Sequence, residues 1–507
     1  MERVIIVLAA IVVMVFMLVK EYLRPGLILF SVVVLFIVTG IITPQDALAG
    51  FSNKGMITVA LLFLVSEGIR CSNALAPIVN NIFPSKRCSI ERGYLSILPA
   101  VATISAFMNN TPIVVIFTPY IKAWCHRVGL PLKKFLIPLS YSAILGGMCT
   151  LIGTSTNLVM LGLMLDAGLD GMTMFEIGKV GVIITLVGIG YLLLFGNRRL
   201  PDDRGQGSDS PKDIVQVVLG SRFPGISLSR EEFDFYSHYG AHIISIRRDG
   251  EELDELSSYR FKENDTLILS ANSGFVDTWG ESRIFLIMTN GTEHTQSVPT
   301  WKRYLSIILL TIMVIGSALC ESPFMGRIFG DIKPDMFFWA SVVTVIMALC
   351  KIFPPKGYTK YISWDIVVTI ACALAISRAM TLSGVAEWIA SILIRLCSTL
   401  SPLSILALIY ITTNIITELI TNNAAAAFAF PIAISAASQL SLNPTPFCIA
   451  ICIAASASFC SPIGYQTNTI VQGLGGYRFM DFVRVGLPLS ILTFILSMIF
   501  IPTFWSF

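Results

Sequence analysis

The sequence predicts an all-α polytopic membrane protein: two inverted repeats with re-entrant hairpins and broken helices, and a small α/β domain inserted between them. Three observations lead there. Of 507 residues, 54% are hydrophobic and only 13% charged, with a mean hydropathy of +0.76; a soluble domain carries about 25% charged residues. A single long polar stretch interrupts the apolar chain near its middle. Finally, landmarks of the first half recur in the second at a steady distance. Phe51 and Trp364 are 313 residues apart, Asn110 and Asn422 312, Asn157 and Asn468 311, which reads as an internal repeat.

The elements follow in chain order. Met1 to Val19 is long enough for a first span, which needs about 20 apolar residues. A signal peptide is the weaker reading, because Glu2 and Arg3 cancel in place of a basic leader and no small-residue cleavage site precedes Glu21-Tyr22-Leu23-Arg24-Pro25. The N-terminal membrane repeat occupies 1–200, with its core at about 51–196. Within it, "ISAFMNNTPIVVIFTP" places two amides, a hydroxyl and a proline inside an apolar region. It reads as a re-entrant hairpin: a helix from about Tyr94 to Met108, a tip at Asn109-Asn110-Thr111, and a return launched by Pro112, whose missing N–H is harmless at a helix start. "FLIPLSYSAILGGMCTLI" then breaks at Gly153-Thr154-Ser155-Thr156-Asn157. Composition turns polar between Asn197 and Asp213, and 201–299 reads as a soluble insertion with strands in "AHIISIRRDG" and "DTLILSANS". The C-terminal repeat runs from 300 to 507, with its core at about 362–507. Its hairpin tip is Thr421-Asn422-Asn423 and its second broken helix opens from Ser461 to Asn468. The sum is roughly ten spans plus two hairpins. Amphipathic segments after Arg70 and after Met380 read as interfacial helices joining spans to hairpins.

Charge sets orientation. Lys86, Arg87, Arg92, Lys122, Arg127, Lys133 and Lys134 flank the first hairpin, whereas the matching loop "SQLSLNPTP" has no charge. Conversely, Lys351, Lys356 and Lys360 precede Trp364, and "TPQDALAG" before Phe51 has no basic residue. Equivalent loops therefore face opposite sides, and Arg198, Arg199, Lys302 and Arg303 put the insertion in the cytoplasm.

Non-helical backbone survives at membrane depth only where protein or water satisfies it, and inverted repeats with broken helices are a transporter signature. Four polar breaks are expected to converge at one depth. Helix N-termini there suit an anion, and exposed carbonyls and hydroxyls suit a hard cation such as sodium. The tips hold no Lys, Arg or His, so cations would have to balance a dianion. They would also offset the cost of moving each charge against an inside-negative potential, about 2.3 kcal/mol per 100 mV.

These paired motifs resemble the divalent anion:sodium symporters, which carry Ser-Asn-Thr at each hairpin tip. The resemblance covers about 1–200 and 300–507, and "SPIGYQTN" looks most like the sulfate-type branch. It implies an elevator-type mechanism, a scaffold that forms a homodimer, and one sodium site in each repeat. The first would use Ser105, Asn109, Asn110 and Gly153; the second would use Thr417, Thr421, Asn422 and Gly464. The anion would contact both tips: Asn109, Asn110 and Thr111 on one side, Thr421, Asn422 and Asn423 on the other. Thr154, Asn157, Thr467 and Asn468 would support the broken helices. The insertion, "FPGISLSREEFDFYSHYGAHIISIRRDGEELDELSSYRFKENDTLILSA", resembles a TrkA-C domain, which implies a cytosolic regulatory module of a kind that in some proteins binds a small-molecule ligand.

Other features carry blander readings. The scattered cysteines read as small buried hydrophobes. Glu418 reads either as a titrating group or as a structural acid holding the hairpin. Asp365 and Arg378 mark span ends, and His126 lies in a basic, solvated loop. "GLGGYRF" lacks the strand and the Lys-Thr of a phosphate loop. No nucleophile/base or metal constellation appears, so an enzyme is not expected. Neither is any cofactor, any metal other than sodium, or a nucleic-acid partner. The expected activity is sodium-coupled uptake of a divalent anion, sulfate first, across a bacterial inner membrane in contact with lipid. A dicarboxylate symporter and a cation/proton antiporter stand as alternatives.

Overall fold

Polar and left-handed residues set the helix ends. Thr43 and Asp46 form a reciprocal capping box at Pro44–Ala49. Asn53 accepts from the N–H groups of Gly55 and Met56 and so restarts the chain as Lys54–Cys71, bent 41° from the preceding helix. Ser89 caps Ile90–Ser105. Gly129 and Gly476 end Asn110–Val128 and Gln466–Gly475 with φ of 77° and 59°, values glycine adopts without a Cβ penalty. The computed structural model describes residues 2–20, 23–72, 74–75, 82–84, 89–201, 214–220, 222–229, 232–248, 251–252, 259–271, 275, 279, 284–289, 299–319, 334–396 and 401–507. Lys86, Arg87, most of the segment after Arg70 and most of the 197–213 linker lie outside them.

The chain is an integral membrane protein. Five described helices are long and apolar enough to cross a bilayer: Gly178–Arg199, Thr300–Ala318, Trp364–Ser383, Pro402–Leu419 and Phe479–Phe504. The bent pair Pro44–Ser52 and Lys54–Cys71 makes six. Fewer uninterrupted spans appear than the ten apolar segments suggest, because several are short (Pro25–Val38, Met336–Leu349, Thr445–Ser456) or cut by a polar break. Ile491, Ile495 and Ile499 are exposed along one face of Phe479–Phe504, as a lipid-facing stripe requires.

The polar breaks sit slightly differently from the expectation. The first hairpin runs Ile90–Ser105 and Asn110–Val128, so Pro112 lies in the first turn of the return, where its missing N–H still has no helical partner to lose. The second runs Pro402–Leu419 and Asn422–Gln439. The broken helices are Leu136–Gly147 with Ser155–Asp166, and Thr445–Ser456 with Gln466–Gly475. Ser155, Thr156 and Asn157 are already helical, as are Thr467 and Asn468, because extended Thr154 and Tyr465 start the new helices. Each hairpin packs on the broken helix of its own half, 90–105 on 136–147 and 402–419 on 445–456. The approach is close: a Cβ on Gly146 would come within 2.1 Å of the Ala102 carbonyl, the contact that small residues permit between membrane helices.

The insertion contains a five-stranded antiparallel sheet, order β3-β2-β4-β1-β5. The strands are β1 Ile214–Leu219, β2 Ala241–Arg248, β3 Glu251–Glu252, β4 Thr266–Ala271 and β5 Phe285–Thr289. β2 and β4 are the two strands read from sequence. An aromatic cluster of Phe223, Phe233, Tyr239 and Phe261 fills its core. The domain touches the membrane helices where Lys122 donates to Gln216 Oε1 at 3.3 Å and where Thr266 packs on Gly473.

Candidate functional site

Four helices begin near one another, at Asn110, Ser155, Asn422 and Gln466, and none has a side-chain cap. Their first N–H groups thus have no side-chain partner from the cap position and are free of helical bonds. Each return helix packs on the broken helix of the other half: 110–128 on 466–475, and 422–439 on 155–166. The tips make that contact. Thr111 Oγ1 donates to Gln466 Oε1 at 3.4 Å, and Asn423 Oδ1 accepts from Ser155 Oγ at 3.1 Å and Thr156 Oγ1 at 3.2 Å.

The two halves repeat the same internal bonds at the same spacing. Ser105 Oγ donates to the Ala143 carbonyl at 2.8 Å, and Thr417 Oγ1 to the Ala455 carbonyl at 2.7 Å, each across 38 residues. Asn157 Nδ2 donates to the carbonyls of Gly147 (3.5 Å) and Thr150 (2.9 Å). Asn468 Nδ2 donates to those of Ser458 (2.9 Å) and Ser461 (3.1 Å). In both cases the partners lie 10 and 7 residues back. These amides hold the breaks open by satisfying carbonyls that a continuous helix would have used. Ser140 Oγ ties the halves together through Thr467 Oγ1 (2.8 Å) and Asn468 Oδ1 (2.6 Å).

Asn110 is at the centre of the first tip and 1% exposed. With its amide in one orientation, Nδ2 donates to the Tyr465 hydroxyl at 2.6 Å and Oδ1 accepts from Ser105 Oγ at 2.7 Å. That oxygen also faces the carbonyls of Ala143 and Gly153. With the amide turned over, Nδ2 donates to Ala143 (2.9 Å), Gly153 (3.2 Å) and Ser105 Oγ (2.7 Å), while Oδ1 accepts from the Tyr465 hydroxyl. Either way, oxygens of Ser105, Ala143 and Gly153 surround one end of the amide. A Cβ on Gly153 would meet the Gly147 carbonyl at 2.5 Å, and one on Gly464 the Thr417 carbonyl at 2.4 Å, so both positions need glycine for backbone to approach backbone. At the second tip, Thr421 Oγ1 is buried without a hydrogen-bond partner, and Asn422, half-buried, accepts from the Asn423 N–H through Oδ1 at 3.0 Å. Asn109 stands apart from the Ser105 cluster. It lines a small cleft with Ser66, Met108, Ile152 and Ser155.

Glu418 resolves to a structural contact. Its carboxylate accepts from the N–H groups of Phe459 and Cys460, both at 2.9 Å, and from Ser458 Oγ at 3.1 Å. Arg378 lies 3.8 Å from Asp46, and Asp365 accepts from Gly26 N–H at 3.2 Å. Tyr465 is the residue the sequence reading missed. Its hydroxyl bonds Asn110 at 2.6 Å and Thr154 at 2.8 Å. The available signal was a phenol placed where the first half has only Thr154.

The citrate transporter family model matches residues 1–330 and 329–507, which is the whole chain. The chain belongs to that family. Its members are transporters and not enzymes, and the match agrees with the divalent anion:sodium symporter resemblance. An uncharacterised transporter of Synechocystis sp. is 29% identical over 96% of this chain and 94% of that protein. Sodium/sulfate cotransporter 2 of Chlamydomonas reinhardtii is 35% identical over 48% of this chain and 28% of its own length. Human solute carrier family 13 member 4 is 24% identical over 75% of this chain and 55% of its own. The fold is similar to that of the YdaH transporter of Alcanivorax borkumensis, with a TM-score of 0.53 at 13% identity, over 90% of this chain and 86% of that one.

Proposed function

We propose that this citrate-transporter-family chain is a secondary active transporter that couples uptake of a divalent anion, sulfate first, to sodium. The observation that carries the reading is the oxygen cluster at Asn110. Ser105 Oγ and the carbonyls of Ala143 and Gly153 lie 2.7–3.2 Å from one end of the Asn110 amide. Nδ2 satisfies these oxygens when it is turned toward them; with Oδ1 toward them instead, they form a neutral oxygen cage of the kind that suits a hard cation. The second site is the counterpart at Thr417, Thr421, Asn422 and Gly464, where the unpartnered Thr421 hydroxyl is an available ligand.

The anion is held between the tips by uncapped helix starts and neutral side chains, Asn109, Thr111 and Asn423 among them. Two sodium ions then balance a dianion. The halves are inverted repeats, 1–200 and 300–507, that move as an elevator within a homodimer. The insertion at 201–299 is a cytoplasmic TrkA-C-like regulator, and the chain sits in a bacterial inner membrane. Relatives named as sodium/sulfate cotransporters support sulfate; the family description supports a carboxylate as the second reading. Glu418, committed to three donors, is a poor candidate for the titrating group that a cation/proton antiporter needs.

Uptake of [³⁵S]sulfate into proteoliposomes, with and without an inward sodium gradient, tests the proposal. Sodium-dependent uptake displaced by unlabelled sulfate but not by succinate or citrate is expected. Uptake that ignores sodium overturns the coupling, and displacement by succinate or citrate overturns sulfate in favour of a carboxylate.

A further inference from the structure

We propose that the Tyr465 hydroxyl is the positioning group that couples cation binding at the first tip to anion binding at the second, by reversing its hydrogen bond to Asn110. The inference rests on the transport reading above and adds to it a specific path between the two ligands.

A phenol has one proton and two lone pairs. The Tyr465 hydroxyl has two hydrogen-bond partners: Asn110 at 2.6 Å and Thr154 Oγ1 at 2.8 Å. Asn110 decides what the proton does. With no cation among the oxygens, the amide is better satisfied turned over, with Nδ2 donating to Ala143, Gly153 and Ser105 and Oδ1 accepting the Tyr465 proton. A lone pair of the phenol is then open to the Thr154 hydroxyl, so that donor is engaged. A cation in the cluster requires Oδ1 to face it. Nδ2 then donates to Tyr465, and the phenol proton swings to Thr154 Oγ1. The Thr154 O–H is released at the start of Ser155–Asp166, the helix whose Ser155 and Thr156 hydroxyls donate to Asn423 of the second tip. Cation binding thus adds an anion donor without any backbone movement.

The placement supports this role. Thr154 and Tyr465 are 311 residues apart, the same spacing as the other paired landmarks. Equivalent positions of two halves related by a two-fold meet only on the axis between them. From there Tyr465 bonds the first tip and Thr154, and it is buried, so water does not compete for its bonds.

The test is the linkage itself, measured as thermal stabilisation of the purified full-length protein. Sodium is titrated against potassium at constant ionic strength, with and without sulfate. In the wild type, saturating sulfate is expected to lower the sodium midpoint by about tenfold, within the usual range of coupling. Tyr465→Phe keeps the cation oxygens and removes one Asn110 partner in both amide orientations. Its midpoint for sodium alone is therefore expected to stay within about threefold, while the sulfate-induced shift falls below about twofold. A merely structural tyrosine would lower the melting temperature equally in every condition and leave the shift intact; that result overturns the relay while leaving sodium-coupled transport standing. A wild type with neither sodium stabilisation nor sodium-dependent sulfate uptake overturns the transport reading and the relay with it. If Tyr465→Phe does not purify folded, Thr154→Val reads the same path, and a full-size shift in that variant overturns the proposal.

Discussion

The two hairpin tips occupy matching places and are held by different means. At the first, the polypeptide is tied by main chain and small hydroxyls: Thr150 Oγ1 donates to the Ala106 carbonyl, and Asn110 is enclosed by Ser105, Ala143, Gly153 and Tyr465. At the second, position 418, which corresponds to Ala106, is a glutamate whose carboxylate gathers two N–H groups and a hydroxyl of the break. Asn422 is half-buried and Thr421 Oγ1 has no partner. The first tip is thus closed and oxygen-dense, and the second is braced by a charge and left with a spare ligand. Under the proposed function, two sites built from one plan need not bind equally: the first tip would be preorganised for a cation, and the second would gain its last ligands with the anion.

The most severe way to break this contrast is Asn110→Ala beside Asn422→Ala. Each buried group left unpaired costs about 1–3 kcal/mol. Uptake is expected to fall at least about a hundredfold in Asn110→Ala with folded protein still recovered, and by a similar factor in Asn422→Ala. Full uptake by either removes that tip from the site. Gly147→Ala and Gly464→Ala come next. The added Cβ would lie 2.5 Å from Asn110 Oδ1 in the first and 2.1 Å from Ser458 Oγ in the second. Overpacking of this kind costs about 1–3 kcal/mol. Sodium stabilisation in thermal shift is expected to disappear in Gly147→Ala and to weaken in Gly464→Ala; the reverse order would reverse the contrast.

Glu418 sharpens the comparison further. Glu418→Gln keeps an oxygen for the Phe459 and Cys460 N–H groups, and uptake is expected within about tenfold of wild type. Glu418→Ala leaves those donors bare and should lose about 2 kcal/mol or more of stability in denaturant titration. Loss of sulfate-independent sodium/proton exchange in Glu418→Gln would instead support an antiporter. The smallest effect concerns the inserted domain. Asp234 caps Phe235–Tyr239, and hydrogen bonds, first from the Ser237 side chain, hold its carboxyl below the usual range. Its contribution is present above the unfolded-state value and lost as pH falls through the lower folded value. Faster amide exchange at Tyr236 and Ser237 is expected on acidification into that window, and in Asp234→Ala at neutral pH; unchanged exchange in the variant would show that the cap is idle.

Much of this was legible from residue order. Apolar runs identify the membrane helices, because lipid leaves few other solutions. The 311 to 313 spacing marks both tips and both breaks in the sequence. Matching bonds across 38, 10 and 7 residues are the geometric counterpart of that spacing. Boundaries were off by a few residues because Thr154 and Tyr465, both extended, start helices whose first turns look like loop in sequence.

What residue order could not supply is which polar atom meets which. The decisive contacts join Asn110 to Tyr465, Thr154 to Tyr465, Thr111 to Gln466 and Asn423 to Ser155. They span 268 to 355 residues. No periodicity encodes such pairs, because they exist only where helices from opposite halves cross. For the same reason Glu418 read equally well as a titrating group or a brace until the Phe459 and Cys460 amides were seen to point at it. Helix and hairpin follow from local preference for lipid or for polar company; the pairing of donors with acceptors follows from packing, since a buried polar group takes the partner that the neighbouring helix brings within hydrogen-bonding distance.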